Sequence, residues 1–464
     1  MITLVLQVLL FVYPSFFVLY QIFLYELSKT NKSKSVNTYN SLPTLSIIVP
    51  TKGESIDVIQ GLINNLNDLE WEKSRMEVII VSDDDEGYFK RLKSELKVPK
   101  GLNVKLYRRR EDERLGYKSG ALLYGFKKSN GQLILTIDVD SRLDRDALVK
   151  AYNKLISSKC SAITFEWNGY SENKYSTLAK GLIASTLFAS KALFSGKESV
   201  GLSVFPVGSG TLFKREVLEK LGGWDYRMIQ DDLEIGSRMA YIGEEVCASN
   251  VPIYIEVPDN FYSFFVQQTR WALGTGEVLR NRLKYILKGK VSVFKKLDML
   301  IHLFQYTPII TVFMSAIVVN ILSLFIGGDI LRSFLFLFWL VVLGTYGFLL
   351  YKLAIKLGFS PLQSLFGIGR LTAFTVAISP FITINFFKGL LKSKKTYIVT
   401  PKGKNKVSFN KKYRYTIVII MFFGVFFLIG GIINILHSYY VTGLWLLYYS
   451  SAFIYTTLTF NREL

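Results

Sequence analysis

Two carboxylates at the end of an apolar run are the residues of this sequence best suited to chemistry. The stretch LILTIDVDS at 133–141 is apolar up to Asp138, and Asp140 follows two residues later. Leu, Ile and Thr without Gly or Pro are typical of a buried strand, expected here over 133–138. Ligands of open α/β sheets bind beyond the carboxyl ends of the strands, where this pair could share a Mg²⁺ or Mn²⁺ ion that neutralises a diphosphate. The alternative is a strand-end turn with solvated aspartates, because a lone D-x-D motif is weak.

Two other apolar runs end in polar residues that we expect at the same edge of the sheet. Thr51 and Glu54 follow a predicted strand over 45–50, and Asp83 and Asp84 follow one over 76–81. A carboxylate at this edge could accept hydrogen bonds from the N–H of a uracil or from ribose hydroxyls. The alternative is a helix N-cap and a solvated acidic turn.

Lys118 and two later aspartates could supply an anion site and a general base. Lys118 precedes a predicted helix over 119–128. A helix N-terminus beside an ammonium group can bind an anion, and a surface lysine is the alternative. Asp231 and Asp232 open another predicted helix, after a small-residue turn that contains Gly208 and Ser209. Such a pair often only complements the helix dipole, but it becomes a general-base candidate if it faces the same cleft.

One helical face and one basic turn complete the candidate residues. Gln267, Arg270 and Trp271 are spaced i, i+3 and i+4, so they share a face that offers hydrogen bonds, positive charge and a stacking surface for a sugar ring. The alternative is an amphipathic membrane-surface helix with an anchoring tryptophan. Thr400 and Lys402 lie in the sequence VTPKG, which on its own is typical of a flexible basic turn.

Composition narrows the classes of function. The chain has 464 residues, half of them hydrophobic, and a formal net charge of +20, so it is too long for one ordinary domain. The basic excess suits an anionic membrane face or phosphate-bearing substrates. Nucleic acid is not expected as a partner, because much of the basic charge borders apolar segments. Cys160 and Cys247 lack C-x-x-C spacing, which predicts neither a disulfide nor a zinc site, and two histidines leave few candidates for histidine catalysis.

Apolar segments predict an integral membrane protein. Residues 3–24 carry no charge, are long enough to span the hydrocarbon core, and lack a cleavage site, which indicates a retained anchor. Four further spans are expected at 300–326, 331–351, 414–436 and 440–460. The apolar segment 361–391 is broken by Pro361, Arg370 and Pro380 and precedes a Lys-rich stretch, so we expect a helix at the cytosolic interface.

The segments define an order along the chain. Between the first two membrane regions, alternating strands and helices predict an α/β domain with a mostly parallel, doubly wound sheet. The positive-inside rule places this domain and the Lys-rich loops in the cytosol, beneath the cell membrane. The expected units are an anchor (1–26), a linker (27–44), the α/β domain (45–290), a transmembrane pair (297–352), an interfacial helix with a following loop (360–412) and a second transmembrane pair (413–464).

Taken in order, these motifs resemble the membrane-embedded family 2 glycosyltransferases of the cellulose synthase, hyaluronan synthase and chitin synthase group. The resemblance runs from Leu45 to about Val407, and the ordered set is far more specific than any single member. The matching motifs are P-T-x-x-E at Pro50–Glu54, D-D at Asp83–Asp84, K-x-x-A-L at Lys118–Leu122, D-x-D at Asp138–Asp140, G-S-G at Gly208–Gly210, Asp231-Asp232, Q-x-x-R-W at Gln267–Trp271 and the gating-loop V-T-x-K-G at Val399–Gly403. The chain departs from the family's usual pattern in having Gln230-Asp231-Asp232 for Glu-Asp, Lys52-Gly53 within P-T-x-x-E and a single N-terminal span.

The resemblance implies a Rossmann-like GT-A domain joined to transmembrane helices, and it implies roles by position. Asp232 would be the general base, and Asp138 and Asp140 would bind the metal ion, Mg²⁺ or Mn²⁺. The implied nucleotide-sugar ligands are Thr51, Glu54, Asp83, Asp84, Lys118, Asp138, Gln267, Arg270, Trp271, Thr400 and Lys402. The implied acceptor ligands are Gly208, Ser209, Asp231 and Trp271.

The resemblance also implies a reaction. A hexose or N-acetylhexosamine would pass with inversion from a nucleotide sugar, expected to be UDP-linked, to a growing β-linked polysaccharide. The alternative reaction is non-processive transfer to a membrane lipid, either a glycolipid or a polyprenyl phosphate. Membrane spans would also suit a non-enzymatic scaffold or a transporter, but the complete set of expected carboxylates argues against the scaffold and the nearly uncharged spans argue against the transporter.

Overall fold

An eight-stranded mixed sheet forms the centre of the α/β domain. The computed structural model describes residues 2–30, 42–392 and 414–460. The strands are β1 (Leu45–Thr51), β2 (Met76–Ser82), β3 (Asn103–Arg108), β4 (Leu133–Thr136), β5 (Arg142–Leu143), β6 (Ala162–Tyr170), β7 (Thr211–Lys214) and β8 (Val246–Glu256). Their order in the sheet is β3-β2-β1-β4-β7-β6-β8-β5. Strands β1, β2 and β4 confirm the predicted apolar runs.

The first half of the sheet is parallel and brings the polar strand ends to one edge. Thr51 pairs with Ser82, and Ile48 pairs with Thr136, so the carboxyl ends of β2, β1 and β4 lie side by side. The second half differs from the mostly parallel prediction, because β7 runs antiparallel to both β4 and β6. Gly210, with a φ of +93°, turns the chain immediately before β7 and donates its N–H to the Thr136 carbonyl at 2.8 Å.

Helices cover both faces of the sheet. The helices of this domain are α2 (Ile56–Asp68), α3 (Glu86–Glu95), α4 (Lys118–Lys128), α5 (Ala147–Ser157), α6 (Thr177–Ser190), α7 (Arg215–Leu221), α8 (Asp231–Ile242) and α9 (Phe261–Leu287). Helix α1 (Ile2–Ser28) precedes the domain. Ile47 packs with α2 and α5 on one face, whereas Ile48 packs with α4 and α8 on the other. This alternation follows from the two-residue period of a strand.

The remaining helices contain the apolar segments. They are α10 (Val293–Leu303), α11 (Thr307–Leu322), α12 (Phe334–Lys356), α13 (Pro361–Ala377), α14 (Ser379–Leu390), α15 (Arg414–Leu436) and α16 (Tyr440–Phe460). Within the described residues, three helices are long and apolar enough to cross a membrane, namely Ile2–Ser28, Phe334–Lys356 and Tyr415–Leu436. The number rises to five if each of two bent helix pairs forms one span.

Two of the predicted apolar segments are bent, and a third is less apolar than expected. The segment predicted at 300–326 is the bent pair α10–α11, with 49° between the helices, and 361–391 is the pair α13–α14, bent by 53°. Pro380 lies in the first turn of α14, where its missing N–H is tolerated. Helix α16 is 21 residues long but contains six Ser and Thr residues, so it is not among the helices apolar enough to cross.

The structure contains a disulfide that the cysteine spacing did not imply. Cys160 and Cys247 form a disulfide with a Cα–Cα distance of 6.0 Å. Cys160 lies two residues before β6, and Cys247 lies in the adjacent strand β8, where it pairs with Ile163. The sequence concealed this proximity because 87 residues separate the two cysteines.

A buried ion pair fixes the anchor helix and α10 to the α/β domain. Lys197 and Asp298 are 1% and 2% exposed, and their Nζ and Oδ1 atoms are 2.9 Å apart. Tyr20 of α1 donates its hydroxyl to the same Asp298 oxygen at 2.6 Å. His302, also on α10, is half-buried, and its ring centroid lies 5.0 Å from that of Phe205.

Candidate active site

The Asp84 carboxylate, after β2, holds the loop that follows β1. Asp84 accepts from the Gly53 N–H at 2.7 Å and from the Ser82 hydroxyl at 2.8 Å. The Thr51 hydroxyl is buried and has no hydrogen-bond partner among the described residues. This edge of the sheet therefore has an acidic loop held by hydrogen bonds and a hydroxyl, that of Thr51, to which a ligand could bind.

Asp83 is directed toward an arginine that the motifs did not indicate. Its two carboxylate oxygens accept from Arg109 Nε at 2.7 Å and Nη2 at 2.6 Å. Arg109 is 1% exposed and also donates to the Leu115 and Tyr117 carbonyls at 3.1 Å. Because the loop it holds leads directly into α4, Arg109 couples the end of β2 to Lys118.

Glu54 lies close to other carboxylates. Burial raises the pKa of Glu54 to about 7, and the charges of Asp140 and Asp84 act in the same direction. The position of Asp140 is fixed through its backbone carbonyl, which accepts from the Tyr170 hydroxyl at 2.6 Å. A concentration of negative charge of this kind is relieved by a bound cation or by protonation.

Lys118 connects the D-x-D strand end to the small-residue turn. Its ammonium group lies 2.6 Å from Asp138 Oδ1 and donates to the Gly208 carbonyl at 2.8 Å. The Asp138 N–H in turn donates to Ser209 Oγ at 2.9 Å, and Ser141 lies 2.7 Å from that same hydroxyl. The residues predicted separately as phosphate ligand, metal ligand and acceptor turn therefore form one cluster.

Gly208 is the point at which this cluster meets the two aspartates. A methyl group added at Gly208 would lie 3.1 Å from Lys118 Nζ, 3.5 Å from Asp231 Oδ2 and 3.7 Å from Asp232 Oδ2. The Gly208 N–H also donates to Asp232 Oδ2 at 3.2 Å. The hydrogen atom of glycine thus leaves a small space bordered by one cation and two carboxylates.

The two aspartates begin α8, as predicted, and their charges interact. Burial, followed by the charge of Asp231, raises the pKa of Asp232 to about 7. Burial also raises the pKa of Asp231, while the positive charges of Lys118 and Arg270 oppose the shift. A carboxylate with a pKa near neutrality can accept a proton at physiological pH, which general-base catalysis requires.

Helix α9 carries the Q-x-x-R-W residues, of which Arg270 lies near the aspartates. Arg270 is close enough for its charge to lower the pKa of Asp231. The Trp271 ring centroid lies 6.3 Å from that of Trp167, whose indole N–H donates to the Ser209 carbonyl at 2.9 Å. Gln267 contacts its neighbour Gln268, and Gln268 in turn accepts from the Tyr306 hydroxyl at 3.2 Å.

Buried ion pairs hold α8 against α9. Glu234 binds Arg238 within α8, and Arg282 of α9 at 2.9 Å. Arg282 also binds Asp225, and Glu277 accepts the Ile229 N–H at 2.9 Å just before the aspartates. These contacts fix the orientation in which Asp231 and Asp232 face Gly208.

The donor set is suited to a metal that substrate oxygens complete. Within residues 2–30, 42–392 and 414–460, no group of three or more His, Cys, Asp or Glu side chains could hold a metal. Mg²⁺ in nucleotide enzymes is often bound by one or two carboxylates and by substrate phosphates. Asp138 and Asp140 supply two carboxylates at the correct strand end, so they fit that arrangement.

The structure brings most, but not all, of the predicted site residues close together. The cluster around Gly208 combines Lys118, Asp138, Ser209, Asp231 and Asp232, and a neighbouring acidic group contains Glu54, Asp84 and Asp140. Asp83 is engaged by Arg109. Thr400 and Lys402 lie outside the described residues.

Sequence reasoning missed Arg109, Trp167 and Tyr306. Arg109 lies within a run of three arginines, which a sequence reader takes as solvent-exposed. Trp167 occupies an ordinary strand position in β6, and Tyr306 lies at the break between α10 and α11. No motif marks these three positions, because their importance arises from contacts across the fold.

Comparisons with known proteins identify the family of this chain. A model of the glycosyl transferase family group 2 matches residues 133–352. A protein of Sulfolobus acidocaldarius named "Probable glycosyltransferase" is 59% identical over 461 residues, which is 99% of this chain and 98% of that protein.

More distant relatives differ in their acceptors. An Arabidopsis thaliana protein named "Probable glucomannan 4-beta-mannosyltransferase 10" is 24% identical, over 66% of this chain and 53% of that protein. The beta-monoglucosyldiacylglycerol synthase of Trichormus variabilis is 26% identical, over 57% of this chain and 55% of that protein. The matched region therefore spans about half the length of these two relatives.

A solved structure shares the fold. The mannosyltransferase PcManGT from Pyrobaculum calidifontis, in complex with GDP-Man and Mn²⁺, has a TM-score of 0.55 at 16% identity. The match covers 84% of this chain and 100% of that chain, and it confirms the GT-A-type α/β domain. From the family match and the near-complete alignment with a glycosyltransferase, we conclude that the chain belongs to the glycosyl transferase family group 2.

Proposed function

We propose that the protein is a membrane-bound inverting glycosyltransferase that extends a β-linked polysaccharide processively. The donor would be a nucleotide sugar, expected to be UDP-linked, that carries a hexose or N-acetylhexosamine. The observation that supports this proposal is the cluster at Gly208, where Lys118, Asp231 and Asp232 border one small space. A cation for the leaving group and a base for the acceptor are the two groups that inverting transfer needs.

In the proposed reaction, Asp232 accepts the proton of the acceptor hydroxyl while the hydroxyl oxygen attacks the anomeric carbon. The bond between that carbon and the diphosphate oxygen breaks, and its electron pair leaves with the nucleoside diphosphate. Lys118 and Arg270 stabilise the negative charge on the leaving group, which is the usual role of such cations in transfer reactions. The Gly208 N–H holds Asp232 in place through its hydrogen bond of 3.2 Å.

Asp138 and Asp140 would hold a Mg²⁺ or Mn²⁺ ion. When bound, the ion would neutralise charge on the diphosphate. The PcManGT structure contains Mn²⁺ and a nucleotide sugar, which is consistent with this role. We expect that EDTA abolishes turnover and that Mn²⁺ or Mg²⁺ restores it, as measured by release of nucleoside diphosphate. Full activity in EDTA after extensive dialysis would contradict the metal proposal.

The nucleoside would lie at the ends of β1 and β2. Thr51, Glu54 and Asp84 are the proposed ligands there, and the pairing of Asp83 with Arg109 supports a positioning role for Asp83. Gln267 would contribute to the diphosphate site. Thr400 and Lys402, outside the described residues, are proposed from the gating-loop motif alone.

The acceptor has two candidates, a polysaccharide and a membrane lipid. A polymer acceptor is supported by the family resemblance and by the glucomannan mannosyltransferase among the relatives. Transfer to a membrane lipid is the second candidate, and the diacylglycerol glucosyltransferase among the relatives favours it. Both candidates place the acceptor near the membrane, which three to five helices of the described residues are long and apolar enough to cross.

A donor panel tests the proposal. Purified protein in detergent is incubated with Mn²⁺ or Mg²⁺ and labelled UDP- and GDP-sugars, and both nucleotide release and product size are measured. High-molecular-weight product that Asp232→Asn eliminates would support the synthase. Label confined to organic-extractable lipid would favour the second candidate, and no turnover with any donor would contradict both. Asp146→Asn is a matched control, because Asp146 forms a surface ion pair with Lys150 on α5.

A further inference from the structure

One tyrosine from the apolar helices reaches the helix that carries the Q-x-x-R-W residues. Tyr306 lies at the break between α10 and α11, where the chain bends by 49°, and its side chain is 7% exposed. Its hydroxyl donates to Gln268 Oε1 of α9 at 3.2 Å. Asp232 and Arg270 are close enough for their charges to act on this hydroxyl. A residue from outside the α/β domain therefore lies beside the proposed base and contacts α9.

The contact with Gln268 continues to a motif residue. Gln268 Nε2 donates to Gln267 Oε1 at 3.4 Å. A carboxamide has an oxygen that accepts and an NH2 group that donates, so a hydroxyl that donates to the Gln268 oxygen turns the Gln268 NH2 group toward its neighbour. Because the Gln267 oxygen accepts that bond, the Gln267 amide presents its NH2 group as a donor. Ionised diphosphate oxygens accept hydrogen bonds, so this is the orientation that the proposed diphosphate site requires.

The break that carries Tyr306 is itself held by the anchor helix. Pro308 has no N–H to donate to the Phe304 carbonyl four residues earlier, as a continuous helix would require. The Thr307 hydroxyl donates to that carbonyl instead, at 2.6 Å. The Tyr13 hydroxyl of α1 lies 2.5 Å from the same Thr307 oxygen. A proline and two hydroxyls therefore fix the turn from which Tyr306 extends toward α9.

We propose that Tyr306 is a positioning residue for donor binding, which acts through Gln268 to direct the Gln267 NH2 group at the diphosphate of the nucleotide sugar. We call these three hydrogen-bonded side chains the amide relay. The inference rests on the proposed glycosyltransferase function and deepens it, because it assigns part of the donor site to the apolar helices. Gln267 was expected from its motif, whereas Tyr306 and Gln268 are assigned from their contacts alone.

The test uses full-length protein in detergent and the nucleotide sugar that gives turnover. Calorimetry measures the donor Kd, and nucleotide release measures kcat and the acceptor KM. Tyr306→Phe removes the hydroxyl and keeps the ring, Gln268→Ala removes the middle of the amide relay, and Tyr306→Phe/Gln267→Ala completes a double-mutant cycle with its single variants. Tyr449→Phe is the matched control, because Tyr449 is 5% exposed among the apolar helices and its hydroxyl lies 3.5 Å from that of Ser379.

We expect Tyr306→Phe to raise the donor Kd about fivefold, the scale of one hydrogen bond, while the acceptor KM changes less than about twofold. Gln268→Ala should have the same effect, because it interrupts the same amide relay. In the Gln267→Ala background, Tyr306→Phe should change the donor Kd less than about twofold, because the hydroxyl then has no motif amide to orient. The Tyr449→Phe control should leave the donor Kd and the acceptor KM unchanged.

Several results would overturn the amide relay. A donor Kd within about twofold of wild type in Tyr306→Phe would do so, as would multiplicative effects of Tyr306→Phe and Gln267→Ala, because independent residues behave in that way. Equal losses of donor and acceptor affinity would report only a loosened site. If Tyr306→Phe does not fold, Gln268→Ala decides by the same criteria. Absence of nucleotide release by the wild type with every donor would instead contradict the proposed function, so the two failures are distinguishable.

Discussion

At the scale of single residues, neighbouring charges give the carboxylates of the site different protonation properties and therefore different proposed roles. Asp83 is neutralised by Arg109, Asp138 by Lys118, and Asp231 and Asp232 share one buried space. Identical side chains thus acquire different roles from their partners. The pair that begins α8 retains a raised pKa, which suits a base.

The pKa of Asp232 predicts an acid limb in the pH dependence of activity. Asp232 can accept a proton only when it is ionised, so kcat/KM should fall as pH falls through about 7. Asp231→Asn removes the like charge that raises this pKa, so the limb should move to lower pH. Rates measured from about pH 5 to 9 with saturating metal check both statements. A limb that stays in place in Asp231→Asn would contradict the coupling.

The Arg109–Asp83 pair should matter for stability. Breaking a buried ion pair from one side leaves an uncompensated charge, so Asp83→Ala should lower the free energy of unfolding by about 3 kcal/mol. Thermal or denaturant unfolding of the variant measures this loss. Asp112→Ala is the control, because Asp112 is exposed on the loop that follows Arg109 and forms a surface ion pair with Arg110 at 3.7 Å. Wild-type stability combined with weakened donor binding in Asp83→Ala would favour a purely nucleoside-binding Asp83.

The sequence predicted chemistry at this scale wherever a motif combined several residue types. The D-x-D, G-S-G and Q-x-x-R-W residues could be proposed because their spacing is meaningful within one element. Arg109 and Trp167 could not be identified, because each acts on a residue far away in sequence. Their partners, Asp83 and Ser209, are separated from them by 26 and 42 positions.

At the scale of elements, helix α9 is the part that joins the site to the apolar helices. It bears Arg270 and Trp271 near its start and Arg282 near its end, where the Glu234 ion pair holds α8. Helix α14 lies against its middle through Gly276 and Gly389. A Cβ atom at Gly276 would lie 2.2 Å from the Phe386 carbonyl oxygen, and one at Gly389 2.2 Å from the Leu273 carbonyl oxygen.

The α9–α14 contact should not tolerate a methyl group. Gly276→Ala would force the two backbones apart, so we expect a fall in melting temperature of several degrees and a loss of most activity. Gly369→Ala is the matched control, since Gly369 is a helical glycine on α13 with open space around it. The control should be neutral or slightly stabilising, because alanine favours helix. Equal effects of both variants would contradict a specific role for this contact.

The elements were predictable in proportion to the strength of their periodic pattern. Strands β1, β2 and β4 and helix α4 begin and end within about three residues of expectation, because strong apolar patterns determine them. The antiparallel half of the sheet was not predicted, since β7 has four residues and its partners are distant in sequence. The bends at Phe304–Tyr306 and Ile378 interrupt runs that hydropathy alone makes continuous.

At the scale of the whole molecule, the α/β domain and the apolar helices are joined by buried polar contacts. The Lys197–Asp298 pair and the Tyr20 hydroxyl connect the domain, α10 and the anchor α1. The donor site therefore has a fixed position relative to the helices that we propose to lie in the membrane. A fixed arrangement of this kind suits an enzyme whose acceptor leaves through or along the bilayer.

We propose that α13 and α14 lie at the cytosolic interface and that α12, α15 and α16 cross the membrane, so the turns before α12 and α16 face the outside of the cell. Single cysteines at Gly328 and Ser438, in the turns before α12 and α16, should react with a membrane-impermeant maleimide on intact cells. A cysteine at Gly358, after α12, should react only after lysis. The background for these variants is Cys160→Ser/Cys247→Ser, provided that it retains activity. Labelling of Gly358→Cys on intact cells would contradict a cytosolic α/β domain.

The most direct test of the proposed chemistry compares donor binding with turnover in Asp232→Asn. Calorimetry would measure the Kd of the active nucleotide sugar, and a coupled assay would measure its turnover with acceptor. We expect a Kd within about threefold of wild type and a kcat lowered by about 10²-fold or more, the scale of a lost general base. Turnover that persists at the wild-type rate in Asp232→Asn, with donor binding intact, would contradict the assignment of the base at the Gly208 cluster.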